Sequence, residues 1–428
     1  MSSTVHPQSI SESPADAATR FLKIREATEK LCAPLSPEDA IVQSVEFCSP
    51  AKWHLAHTSW FFETFILERE VANYRHFHTE FRVLYNSYYK SVGEQFSRPQ
   101  RGLISRPSLA EVYRYRDYVN EQMVRFLRER ENLAGLLKVI FETGLHHEQQ
   151  HQELILTDLK HLFSFNPLHP VYRERAEVES TGVAPLRWHA YEEGIHLIGH
   201  EGDDFAFDNE EPRHRFFVEA FELASRLVTN GEYLEFMNDG GYSRPEFWLS
   251  DGWDTVQRQG WQAPLYWQME DGGWFAHTLS GFRKLNLAEP VSHVSFYEAD
   301  AFARWAEARL ATEFEWEAVA SELPIAGNFV ENGFLHPVPA THNSTDAPQQ
   351  LSGDVWEWTA SPYSPYPRFQ PRSGSLGEYN GKFMCNQMVL RGGSCATPLS
   401  HIRTSYRNFF QPEMRWQFSG IRLARDVK

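Results

Sequence analysis

The stretch from Leu133 to Phe163 constrains this chain more than any other. It is rich in Leu, Lys, Glu and Gln, with Gly144 as an interior breaker, so it reads as one long helix. Within it runs His146-His147-Glu148-Gln149-Gln150-His151-Gln152-Glu153. His147 and His151 are four apart and leave the helix from one face, about 5–6 Å apart at Cβ. Two imidazoles at that spacing can share a metal ion. Apolar Leu145, Leu154 and Leu156 around them set the pair into a helix-packed interior. Two ligands do not complete a site, so a partner helix has to supply the rest.

Upstream, Phe21, Ile24, Ala27 and Leu31 recur at helical spacing and give a first helix from about Ala15 to Leu31. Ser49-Pro50 reads as N-cap plus proline at the first helical position, opening a second helix to about Arg69 that carries His54, His57, Trp60 and Phe61. A loop from about Ala72 to Pro107 holds Tyr85-Asn86-Ser87-Tyr88-Tyr89 and the basic Arg98 and Arg101. Ser108 and Glu111 form a capping box that starts a third helix to about Arg130. The four helices predict an up-down bundle over residues 16–165, an architecture that builds metal sites from facing helices. His57 is the natural third ligand. His54, three residues before it on a similar face, is the competitor.

Residues 1–15, rich in Ser and Pro, are expected to be disordered, and residues 166–190 form a linker. From 191 to 428 the character changes to short aromatic segments with frequent Gly, Trp and Asn, an α+β pattern. Helices are expected near Val228-Thr-Asn-Gly-Glu-Tyr233 and after Ser295, and buried strands at Gly353-Asp-Val-Trp-Glu-Trp358 and Val389-Leu-Arg391.

Composition excludes some partners. A net charge of −16 argues against nucleic acid and anionic membrane. No apolar run of about 18 residues exists to span a bilayer, and the N-terminus lacks a signal-peptide pattern. Four cysteines without a CxxC pair fit a reduced, cytoplasmic protein.

The central motif supports more than one chemistry. His147-Glu148-x-x-His151 matches the zinc-peptidase pattern, with Glu148 as general base and His161 a possible third ligand. Three neutral imidazoles on one side of an octahedral ion would instead leave three positions for substrate and oxygen, and suit Fe(II) as well as zinc. A metal-stapled bundle carrying a lectin-like binding half is the non-enzymatic reading.

Trp53-His-Leu-Ala-His57, His147-Glu-Gln-Gln-His151-Gln-Glu153, Val228-Thr-Asn-Gly-Glu-Tyr233, Leu310-Ala-Thr-Glu-Phe-Glu-Trp316, Gly353-Asp-Val-Trp-Glu-Trp358 and Arg391-Gly-Gly-Ser394 with Gly420-Ile-Arg422 occur together in this order. The combination resembles the ergothioneine-biosynthetic sulfoxide synthases of the EgtB type, over about residues 20–428. The resemblance implies an α plus α+β chain, a DinB-like four-helix bundle joined to a formylglycine-generating-enzyme, C-type-lectin-like domain. It implies a non-haem Fe(II) enzyme that uses O2 to join a thiol sulfur to C2 of hercynine, forming a sulfoxide, with His57, His147 and His151 as iron ligands. A 5-histidylcysteine sulfoxide synthase of ovothiol biosynthesis is the neighbouring alternative. A formylglycine-generating oxidase would need a second cysteine soon after Cys395, and none follows through Arg407.

The resemblance also implies substrate contacts. A quaternary ammonium is held by aromatic faces and neutral oxygens. Gln150, Asn408, Phe409 and Phe410 match the hercynine side. Relatives using γ-glutamylcysteine carry an Arg-x-x-Arg pair and an Asp two residues after the Asn. Arg98 and Arg101 keep the pair, but Phe410 replaces that Asp, which favours cysteine as the thiol. A tyrosine is expected to serve as proton or electron donor. Tyr88 and Tyr89 are the candidates on the bundle loop, one reaching the centre while the other orders it because neighbours in an extended loop point opposite ways. Tyr363 and Tyr366 are the C-terminal alternatives, and Arg82 is the reserve carboxylate binder.

Overall fold

A computed structural model describes residues 14–130, 132–175, 178, 182–183, 185–341 and 347–427. The expected disorder at the N-terminus lies outside these residues except at Pro14 and Ala15, which already begin a helix. The chain divides into two compact units, Met1–His151 and Gln152–Lys428.

The first unit is built on α1 (Pro14–Cys32), α2 (Ala51–Phe62), α3 (Leu109–Arg128) and α4 (Gly135–Ser164), the last of which continues past the division. The bundle expected from the sequence is the one observed. Helix α2 runs straight on through a π-helical turn, Glu63–Leu67, to Glu70. Its start differs from expectation by one residue. Pro50 is the N-cap and, having no polar side-chain atom, makes no cap bond, while the Ser49 hydroxyl accepts from Arg101 at 2.9 Å. The Ser108–Glu111 capping box of α3 is formed as expected. Gly144 also finds its reason here. A Cβ at that position would lie 2.6 Å from the Phe62 ring, so only glycine lets α4 close on α2. The long loop after α2 is pinned where Lys52 donates to the carbonyls of Ile104 and Pro107.

The second unit is α+β. One four-stranded sheet orders Trp188–Tyr191, Phe221–Ala224, Leu423–Asp426 and Arg309–Leu310 antiparallel. Another orders Asn408–Phe410, Met388–Arg391, Trp356–Pro362 and Ser419–Gly420. Both short helices form. The first is capped by Thr229 and the second by Ser295, each through a capping box.

The signature residues of this unit hold the fold together. Arg391 pairs with Glu317, Arg407 pairs with Glu313 at 2.8 Å, and Arg422 with Glu357 at 2.9 Å. Trp316 Nε1 donates to the same Glu357 at 3.0 Å. All are buried, so each charge needs its partner. Gly392 has φ +97°, and its Cβ would meet the Leu351 carbonyl at 2.6 Å, which excludes any side chain. Beneath lies an apolar cluster of Val218, Phe221, Leu223, Trp316, Val319 and Leu351.

Candidate metal centre

Helix α2 supplies His57 and α4 supplies His147 and His151, one turn apart, so one point between two helices collects three imidazoles. All three are buried, and their ligand nitrogens lie within 4.8 Å of one another. Nε2 of His147 is 3.1 Å from Nε2 of both His57 and His151.

The outer ring nitrogens decide what these inner ones can do. Nδ1 of His57 lies 2.6 Å from the Tyr85 carbonyl, which can only accept, so Nδ1 carries the hydrogen and Nε2 a lone pair. Nδ1 of His151 lies 2.7 Å from Nδ1 of His54. With that Nδ1–H donating to His54, His151 also turns a lone pair inward. Desolvation, reinforced by neighbouring imidazoles, drives His57 and His151 well below the usual histidine range. Burial brings His147 down to about 3. The rings are therefore neutral, and their converging Nε2 atoms, 3.1 Å apart, are placed to share a cation. The donor set fits a metal ion bound by three neutral imidazoles. His54 is no alternative ligand: it backs His151 instead.

Aromatic rings fix the orientation. His57 is sandwiched between Trp53 at 4.4 Å and Trp60 at 5.4 Å, both nearly parallel. Phe61 lies 4.8 Å from His147. The Arg101 guanidinium covers Trp53 at 3.4 Å and is 4% exposed, whereas Arg98 is exposed and donates to the Phe47 carbonyl. Arg82 reaches Glu68 at 3.1 Å.

Glu148 contradicts the peptidase reading. Its carboxylate takes Arg25 at 2.8 Å, Arg116 at 3.0 Å and Thr28 at 2.7 Å. Burial works to raise this carboxyl, but the two guanidiniums outweigh it and bring it down to about 2. A carboxylate so occupied cannot serve as general base. Nor does His161 join the converging ligands. The sequence carried a signal for this network, since Phe21, Arg25 and Thr28 lie on one stripe of α1, where a buried Arg needs an acid.

The tyrosine expectation needs correcting. Tyr88 and Tyr89 do not point opposite ways: their rings stack at 4.7 Å. The loop is turned rather than extended, because Asn86 accepts from the Tyr89 N–H at 3.2 Å and donates to carbonyls of Tyr89 and Glu94. Tyr89 is buried against Phe65, Trp60 and Phe61, at 5.0, 5.7 and 6.5 Å, and Tyr88 is half-buried. Gln150, half-buried, sits three residues after His147 on the same helix face.

In the second unit, Asn408, Phe409 and Phe410 form a strand, so Phe409 turns away from its two neighbours. Phe409 stacks on Tyr363 at 4.0 Å, and Phe410 meets Trp416 edge-on at 5.1 Å. The two phenylalanines therefore do not share one face, as a common hercynine cage would require. The Tyr363 hydroxyl accepts from Asn209 at 2.9 Å. Tyr366 donates to Glu313 at 3.3 Å, inside the Arg407 ion pair.

The sulfatase-modifying factor enzyme 1-like domain family matches residues 191–336 and 329–427. A hercynine oxygenase of Mycolicibacterium smegmatis is 35% identical over 317 residues, covering 67% of this chain and 72% of the relative. One of Mycobacterium tuberculosis is 37% identical over 243 residues, 52% of this chain and 56% of that one. Ergothioneine biosynthesis protein 1 of Schizosaccharomyces pombe is 28% identical over 247 residues, 54% of this chain and 29% of that one. A bundle with three converging buried imidazoles, followed by a domain of this second family, is thus matched along most of its length, and the chain belongs to the hercynine oxygenase family, enzymes of the oxygenase class.

Proposed function

We propose that the chain is an Fe(II)- and O2-dependent sulfoxide synthase of ergothioneine biosynthesis. It joins the sulfur of cysteine to imidazole C2 of hercynine and works in the cytoplasm. The observation that carries this reading is the convergence of three neutral imidazoles with Glu148 locked elsewhere. Held by His57, His147 and His151, Fe(II) would supply open positions for a thiolate and O2.

The chain's own residues do the remaining work. The Tyr85 carbonyl and His54 hold the outer nitrogens of His57 and His151, which keeps the correct tautomers facing inward. Arg101 is the better carboxylate binder of the arginine pair. It is buried, and its charge is among those that lower His57 and His151. Gln150, Asn408 and one of Phe409 and Phe410 hold hercynine by neutral oxygens and an aromatic face. Tyr88, with its partial exposure, donates the proton, and the buried Tyr89 orders it by stacking.

The test is mass spectrometry after anaerobic Fe(II) loading, with hercynine, cysteine and air supplied and γ-glutamylcysteine in a parallel arm. The expected product is the hercynine–cysteine sulfoxide. Hydrolysis of peptides with zinc, or product only from histidine, would overturn the reading.

A further inference from the structure

A polar cavity lies in the C-terminal unit, lined by none of the residues assigned to metal or substrate above. Lys160, Arg175, His277, Glu289, His293 and His336 are among its walls. Lys160 is 1% exposed. Its Nζ lies 2.7 Å from Nε2 of His293, whose Nδ1–H donates to the Trp416 carbonyl at 3.2 Å. His293 therefore accepts one ammonium hydrogen, and two remain. The rings of Phe418 and Tyr266, 4.7 and 5.1 Å from Nζ, supply π faces but no counter-charge.

Glu289 is the one carboxylate among the described lining residues, and it is already taken, by Arg175 at 3.1 Å and by His336 Nε2 at 3.0 Å. Other groups on the same cavity have open valences. His277 is 2% exposed, and neither of its ring nitrogens has a hydrogen-bond partner. The same holds for Nε of Arg175 and Nδ1 of His336. The large majority of buried side-chain polar atoms are satisfied, so such a cluster on one cavity points to a ligand. Free donors outnumber free acceptors, and the charge is positive. Lys284, exposed, adds to it at the opening.

We propose that this cavity binds a small oxyanion, the carboxylate or phosphate group of a small molecule, with Lys160, His277 and Arg175 as its donors. An anion brings acceptor lone pairs to all three and replaces the missing counter-charge. A water molecule could do only the first.

Isothermal titration of the full chain with sodium phosphate and with sodium acetate, at ionic strength matched by sodium chloride, tests this. One saturable site per chain is expected, and the better of the two anions assigns the head group. Lys160→Met and His277→Phe should each weaken binding at least tenfold, and Lys284→Glu about threefold. Far-UV circular dichroism checks the fold, and Lys284→Glu, on the surface, carries the test should the buried variants not fold. Absence of saturable binding by either anion overturns the proposal, as does binding unchanged in every folded variant.

Discussion

Replacing Glu148 with Gln should destabilise the bundle rather than merely silence an active site. The carboxylate sits between two buried guanidiniums, Arg25 and Arg116, that reach it from α1 and α3. Removing one partner of such a set leaves unpaired buried charge, which costs about 3–5 kcal/mol. The drop of this carboxyl from 4.5 to about 2 corresponds to about 3 kcal/mol at about 1.4 kcal/mol per tenfold. Glutamine keeps an oxygen for Thr28, so the lower figure applies. In a unit of this size that lowers Tm by about 10 °C. Thermal unfolding followed by circular dichroism at pH 7 measures it. The sign with pH is fixed too. A depressed carboxyl stabilises above its unfolded value and loses that contribution as pH falls from 4.5 towards about 2, so the two unfolding curves should converge on acidification. A Glu148→Gln protein melting within about 2 °C of wild type would refute the buried-network argument and revive Glu148 as a free base.

Single Ala variants of His57, His147 or His151 should abolish iron binding, while His54→Ala should weaken it only about 10–100-fold, as read by anaerobic titration. If His54→Ala alone abolishes it, the ligand set is misassigned. Tyr88→Phe should cut sulfoxide formation about 100-fold while oxidation of cysteine to sulfinic acid continues, with Tyr89→Phe milder; a switch of product in Tyr363→Phe alone would move the donor to the other unit. Cysteine should exceed γ-glutamylcysteine in kcat/KM at least about tenfold, about 1.4 kcal/mol, and equal use of both would remove the argument from Phe410. Burial lowers Lys160 from 10.5 to about 7, so the folded chain binds fewer protons than the unfolded one between those values. Stability should therefore rise with pH from about 7 to 10 relative to Lys160→Met, and parallel unfolding curves would contradict this.

Much of the site was legible because helical spacing is a local property. The His147–His151 pair needs only a helix, and Ser108 announces its own cap. What stayed hidden depends on a second element. His54 and His57 differ by three residues, and only their distances to α4 show that one converges on His147 while the other backs His151. The stacking of Tyr88 on Tyr89 follows from the bonds of Asn86, whose folding of the loop no alternation rule anticipates. The Arg-Gly-Gly-Ser and Gly-Asp-Val-Trp-Glu-Trp signatures pointed to a fold, and Arg391 and Glu357 are indeed buried ion-pair partners that hold it.

The π-helical turn Glu63–Leu67 has a consequence for how this family can gain or lose residues. A π turn is an α-helix that has absorbed one extra residue, and each residue turns the helix by about 100°. Here it lies between His57 and the loop whose Tyr85 carbonyl holds that same imidazole. Glu63, within it, takes the hydroxyls of Tyr115 at 2.6 Å and Tyr74 at 2.8 Å. Deleting one residue from this turn would restore a regular helix and leave His57 where it is. Everything after it would emerge rotated, carrying Tyr85 off the ring it steadies. A one-residue gap here in a related chain is therefore a change of phase between a ligand and its brace, although every histidine is retained.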